Sequence, residues 1–267
     1  MPLDWRVEMP SMGTTMRRIT MLAAIAGLAF TTAATAAPAI PDFVKAAVAD
    51  THRPAKDTAV DAERKPADMV VFAGIKPGDT VVDLTPGGGY FTRIFAKVVG
   101  PKGHVYAYQP DFQKRFFKNG APADKIAADP AYANVSVIHK PLAQFATPTK
   151  VDVVWTSQNY HDVHNLPNAA ATVKALNAGI YNALRPGGVY VVLDHRAKAG
   201  TGTTETKRLH RIDPAVVKTE VEAAGFHYAG ASNVLANPKD DLSLIVFNPK
   251  IRHHTDQFIF KFEKPKM

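Results

Sequence analysis

The sequence predicts a doubly wound α/β fold in a single domain, and three observations carry that prediction. First, Val81-Val82-Asp83-Leu84 reads as a short buried strand and Thr85-Pro86-Gly87-Gly88-Gly89 as a tight turn. From Tyr90 the apolar period lengthens, with Phe91, Ile94, Phe95 and Val98 at helical spacing. Second, Val105 to Tyr108 supplies another strand within about thirty residues, as a βαβ unit requires. Third, strands and helices keep alternating as far as Leu193, the pattern of a mostly parallel sheet. The first strand, its glycine turn and its helix make a nucleotide-binding corner. Glycine lets the backbone approach a ligand closely and take positive φ. The following helix aims unpaired N–H groups at whatever sits there.

Taken in order, residues 1–36 read as a secretory signal peptide rather than as fold. Met16-Arg17-Arg18 is a basic start, Met21 to Phe30 an apolar stretch too short to span a bilayer, and Ala34-Thr35-Ala36 a small-residue cleavage site. The true start is then Met12 or Met16, the location periplasmic or secreted, and no stable membrane anchor is expected. Residues 37–68 form a charged, helical lead-in: Asp61, Glu63, Arg64 and Lys65 precede Pro66, which suits a helix start. Met69, Val70, Phe72 and Ile75 open the main domain, 69–267, and Lys76-Pro77-Gly78-Asp79 turns into the first strand. After Tyr108, residues 111–130 read as helix and loop. Val135 to Ile138 and Val151 to Trp155 are strands three and four. A helix from Ala169 to Leu184 follows, with Val173, Leu176, Ile180 and Leu184 on one face. Arg185-Pro186-Gly187-Gly188 turns into strand five, Val189 to Leu193. Asp213 and Pro214 open another helix as N-cap and first residue, and Gly225 closes it. In the tail, Phe258, Phe260 and Phe262 alternate with Ile259 and Lys261, which reads as an edge-capable antiparallel strand.

Composition narrows the partners. A 46% hydrophobic content suits a sizeable core. The net charge of +8 comes from 32 basic residues scattered among 24 acidic ones, without a basic run, so nucleic acid is not expected as a partner. With no cysteine, disulfides, thiolate metal sites and a cysteine nucleophile are excluded.

Several motifs together resemble the class I S-adenosylmethionine-dependent methyltransferases. More narrowly, they resemble a group of exported bacterial proteins described as predicted methyltransferases. They are Gly78-Asp79-Thr80-Val81, Asp83 through Tyr90, Asn159-Tyr160-His161-Asp162, Arg185-Pro186-Gly187-Gly188, Asp194-His195, Leu209-His210-Arg211-Ile212-Asp213 and Thr255-Asp256-Gln257-Phe258. The resemblance spans about Asp50 to Lys264. It implies a Rossmann-like seven-stranded sheet with an antiparallel last strand, and S-adenosylmethionine over the carboxyl ends of strands one and two. It also implies a cofactor set of Asp83, Thr85, Gly87, Gly88, Gly89, Gln109 and Asn159. Three departures stand out. Thr85 takes the place of a usual glycine. Gln109 stands where an acidic residue takes the ribose hydroxyls. Ile138-His139-Lys140-Pro141 holds no acidic residue for the adenine.

On the substrate side, His161 follows strand four at the edge where open α/β sheets bind ligands. An imidazole titrates near neutral pH, so His161 is the candidate general base. Asp162 or Asp194 would orient it, and His195 reaches the same edge from strand five. Asn159 can also bond a polar substrate. The spacings His161/His164 and His253-His254/Asp256 suit a metal only loosely, and no metal is expected. The expected function is methyl transfer to a small molecule or an envelope component. The alternative is an exported, non-catalytic ligand-binding protein on the same fold, because export sits awkwardly with a methyl donor made in the cytoplasm.

Overall fold

The computed structural model describes residues 39–117 and 120–266. The signal peptide expected over 1–36 lies outside them. Seven strands form one mixed sheet: β1 (Thr80–Leu84), β2 (His104–Tyr108), β3 (Val135–Ile138), β4 (Val151–Ser157), β5 (Leu184–His195), β6 (His227–Ser232) and β7 (Gln257–Glu263). Their order is β3-β2-β1-β4-β5-β7-β6, the first five parallel and β7 antiparallel to both neighbours. The strand order reverses beside β1, where β1 pairs with both β2 and β4. Open α/β sheets bind ligands at such a point, beyond the strands' carboxyl ends.

Helices cover both faces. On one lie α1 (Asp42–Val48), α4 (Pro66–Ala73) and α5 (Tyr90–Val99), which bury Val44, Met69, Ile94 and Phe95 against Val81, Val105, Trp155 and Val191. Two short helices, α2 (Ala55–Thr58) and α3 (Asp61–Arg64), join α1 to α4. From α1 onward these segments contribute Val44, Ala47, Met69 and Val70 to the core. After β2 comes α6 (Pro122–Ala127), and after β4 comes α7 (Tyr160–Val163). On the opposite face, α8 (Ala169–Ala183) and α9 (Pro214–Glu222) bury Leu176, Ile180, Val217 and Val221 against Val82, Val154, Tyr190 and Val192. Strand alternation fixes which side each site residue takes. Asp83 shares the parity of Val81 and turns toward α5, where the Thr92 hydroxyl donates to it at 2.6 Å. Asp194 shares the parity of Tyr190 and Val192 and turns toward α7.

Three elements differ from the sequence reading. Strand β5 begins at Leu184 and not Val189, taking in the expected Arg185–Gly188 turn, with a register shift against β4 there. The tail strand β7 is interior, inserted between β5 and β6, because both of its faces are apolar enough to be covered: Phe258 and Phe262 pack on one and Ile259 on the other. The strand at that edge is β6, His-Tyr-Ala-Gly-Ala-Ser, whose residues are exposed or half-buried in alternation. It has too little apolar or β-branched content to read as a strand from sequence. The Asp213 cap holds as expected, its carboxylate accepting the Ala215 N–H at 3.0 Å.

Candidate active site

A cleft of about 410 Å³ opens at the carboxyl ends of β1 and β4, within the size range of small-ligand sites. The turn after β1 forms its floor. Thr85 stands at φ 63° and Gly87 at φ 55°, so the chain doubles back with its backbone facing the opening. A Cβ built on Gly87 or Gly88 would meet no atom within 4 Å. Gly89, by contrast, is a packing glycine: a Cβ there would lie 2.1 Å from the Ile126 side chain, and the residue does not line the cleft. The Asn159 amide ties the β4 side to the turn by donating to the Thr85 carbonyl at 3.1 Å.

Charge in the cleft is of both signs. Asp83 is almost fully buried, and burial pushes its carboxyl up to about 6, against the opposing pull of the Thr92 hydroxyl and the Arg64 guanidinium. Arg64 stacks over the Tyr90 ring at 4.1 Å and over Phe91 at 5.0 Å. Its neighbours Lys56 and Asp57 line the same opening from the lead-in helices. These three were not legible as site residues, because the lead-in carries no motif that marks them.

Gln109 lies apart from the cleft. It is fully buried, its amide N–H donates to Gln113, and its carbonyl oxygen has no hydrogen-bond partner among the described residues. Of the seven expected cofactor residues, Asp83, Thr85, Gly87, Gly88 and Asn159 thus share one cleft, while Gly89 and Gln109 stand outside it.

The expected catalytic residues gather in a second group. The Asp194 carboxylate accepts the His161 backbone N–H at 2.8 Å, the His161 ring Nδ1–H at 2.7 Å and the His195 backbone N–H at 2.7 Å. Burial works against a charged ring at His161, but Asp194, with help from Asp162, more than offsets it and holds the imidazole above its ordinary value. Burial likewise disfavours the Asp194 charge, and His161 and His195 together hold its carboxyl below the ordinary range. His195 is driven to about 3 by burial, so its ring is neutral, with Nδ1 2.8 Å from the Thr255 hydroxyl. His161 and His195 lie 6.2 Å apart, ring centre to ring centre.

His210 joins this group and was not singled out for a role by the sequence. Its Nδ1 lies 3.2 Å from His161 Nε2. Of the residues in the two loose histidine spacings, His164 Nε2 lies 3.2 Å from a Glu220 oxygen and Asp256 pairs with Arg196 at 2.9 Å.

No protein-family model and no curated protein matches the sequence. Solved structures do. A SAM-dependent methyltransferase from Aquifex aeolicus is similar over 79% of this chain and 98% of its own, at 17% identity and a TM-score of 0.52. A glycopeptide N-methyltransferase complexed with sinefungin matches 76% of this chain and 86% of its own, at 14% identity and 0.53. The Burkholderia thailandensis 1,6-didemethyltoxoflavin-N1-methyltransferase, with bound 1,6-didemethyltoxoflavin and S-adenosylhomocysteine, matches 79% of this chain and 80% of its own, at 16% identity and 0.53. The fold is that of the class I S-adenosylmethionine-dependent methyltransferases. Within the methyltransferase fold, Thr85 now has a physical reading. The position requires a left-handed backbone, which glycine adopts freely and threonine adopts at roughly 1–2 kcal/mol. The Thr85 N–H bond to the Tyr108 carbonyl at 2.9 Å and the Asn159 bond to the Thr85 carbonyl hold it there.

Proposed function

We propose that this protein binds S-adenosylmethionine in the cleft above the Thr85–Gly88 turn and transfers its methyl group to a small molecule or an envelope component. The observation that carries the reading is the cleft itself: Asp83, the open backbone of Gly87 and Gly88, and Asn159 face one ligand-sized space at the strand-order reversal. When bound, the cofactor supplies a methyl group on a sulfonium, and transfer is an in-line displacement in which most of the catalysis is positioning. Asp83 balances the ligand's positive charge, Asn159 fixes the turn, and His161, two residues beyond Asn159, holds the acceptor.

Calorimetric titration with S-adenosylmethionine and S-adenosylhomocysteine tests this. Both should bind, and the affinity of S-adenosylmethionine should rise as pH increases through about 6, because only the ionised Asp83 attracts its sulfonium cation. Gly88→Val should weaken binding by about 10- to 100-fold, the equivalent of 1–3 kcal/mol of overpacking. Gly88 is the better position for this test, since valine at Gly87 would also strain a positive φ. If neither compound binds at any pH, the non-catalytic ligand-binding reading takes its place.

Export is part of the same proposal. Cleavage is expected near Ala36, and mass spectrometry of the protein from a native envelope fraction should find an N-terminus there. An intact segment from residue 17 to residue 36 would overturn export.

A further inference from the structure

Three ligand atoms converge beside the candidate acceptor position. His161 Nε2 lies 3.2 Å from His210 Nδ1 and 3.4 Å from Asp162 Oδ1, and His210 Nδ1 lies 3.5 Å from the same Asp162 oxygen. We propose that His161, Asp162 and His210 form a three-ligand site for a divalent first-row transition cation, with Zn²⁺ the best match to the donors.

The geometry fits a metal. A nearly equilateral triangle of these sides has a point about 2 Å from every corner, the usual length of a Zn–N or Zn–O bond. Two imidazoles and one carboxylate favour zinc and its first-row neighbours over magnesium or calcium, which prefer all-oxygen shells.

Proton accounting points the same way. The Asp194 carboxylate only accepts, so the proton of neutral His161 sits on Nδ1 and Nε2 carries a lone pair. That lone pair faces a carboxylate oxygen and a second imidazole nitrogen. With the His210 proton on its Nε2, three lone pairs converge at this point. An ion satisfies all three. A carboxylate behind a ligating histidine is also the usual support of a metal site, fixing tautomer and ring direction, and Asp194 does this for His161.

The backbone adds an independent observation. His210 stands at φ 55°, a left-handed conformation uncommon for a residue with a side chain. The next residues pin it there: the Ile212 N–H donates to the His195 carbonyl at 3.0 Å, and the Arg211 guanidinium donates to the Arg196 carbonyl at 3.0 Å. Strain that the surroundings hold in place is a mark of a side chain that must be aimed.

One side of the triangle is open. The His161 side chain is 3% exposed, whereas Asp162 and His210 are 34% and 29% exposed. An ion would keep a position free for water or an acceptor oxygen, as in catalytic rather than structural zinc sites.

The test is metal titration of the chelator-treated, dialysed protein, with no methyl donor present. Zn²⁺ should bind at one equivalent by calorimetry, and Co²⁺ should produce the visible absorption of a low-symmetry nitrogen and oxygen site. His210→Asn, which tolerates the left-handed backbone, and His161→Ala should each lose at least about 100-fold in Zn²⁺ affinity while circular dichroism stays unchanged. Asp194→Asn should lose about 10- to 100-fold, the usual cost of a supporting partner. Exposed His227 and His254, replaced by alanine, should leave affinity as it was. No binding, or binding that survives His210→Asn and His161→Ala together, overturns the site. Binding of S-adenosylmethionine is read separately: its failure with zinc retained counts only against methyl transfer, and the reverse result only against the metal.

Discussion

Alanine at position 161 is expected to lower turnover by about 10²- to 10⁴-fold, the range for loss of a group that handles the acceptor proton, while affinity for S-adenosylmethionine stays at the wild-type value. The split follows from the architecture. The expected cofactor cleft is built by the turn after β1 and by Asn159, and His161 does not line it. The fold should tolerate the change, because Asp194 keeps two of its three donors, the backbone N–H groups of residues 161 and 195. His195→Ala should lose less. Its ring is neutral, buried and tied to Thr255, so it supports the strand end without reaching an acceptor. Envelope extracts screened with labelled methyl donor would supply the acceptor for the assay. A wild-type rate from His161→Ala would remove this residue from the reaction.

Arg211→Ala is the substitution expected to cost most stability, about 3–5 kcal/mol, measured as a lower urea midpoint. Arg211 is fully buried and makes three contacts: Nη2 to Asp240 at 2.8 Å, Nη1 to the Arg196 carbonyl at 3.0 Å and Nε to the Leu244 carbonyl at 3.1 Å. Removing it strands the Asp240 charge, which is as deeply buried as its partner. Breaking one side of such a pair costs far more than the pair contributes, since the remaining ion has neither water nor a counter-ion. A domain is stable by only about 5–15 kcal/mol, so the loss is a large share of the whole. Arg211→Met combined with Asp240→Asn should recover part of it. The asparagine is neutral, and its one carbonyl oxygen can still accept one of the two N–H groups, Leu242 or Asp256, that Asp240 now takes on separate oxygens, so the recovery is partial. If Arg211→Ala unfolds at the wild-type midpoint, the pair is not a fixture of the fold.

What the sequence made legible follows the range over which its signals act. The turn after β1, helix α5 and the Asp213 cap are local: period, glycine and capping residues sit within a few positions of each other, and each appears where expected. The strand order around β7 is not local. Nothing in Phe258–Phe262 says which neighbours cover it, and β6 is too polar and too small in its side chains to declare itself. The site divides the same way. Asp83, Thr85, Gly87 and Gly88 are neighbours in one motif and share one cleft. Gln109 was placed by counting along β2, but its side chain turned inward toward Gln113, a choice made by packing. His210 lies 49 residues from His161 in the chain, and only the fold brings their nitrogens together.

The insertion of β7 between β5 and β6 has a kinetic side. Strands β1 to β5 are in hand once about 195 residues have been made, but β5 then shows a free row of backbone N–H and C=O groups along one side. Strand β6 does not cover that row: among the described residues its ladder is with β7. Until residues 257–263 arrive, a nascent chain carries two unsatisfied edges, each a template for pairing with another chain. Closure then joins segments far apart in sequence, an intrinsically slow step. A chain with this topology depends on whatever keeps it apart from its copies in the interval between the fifth strand and the last.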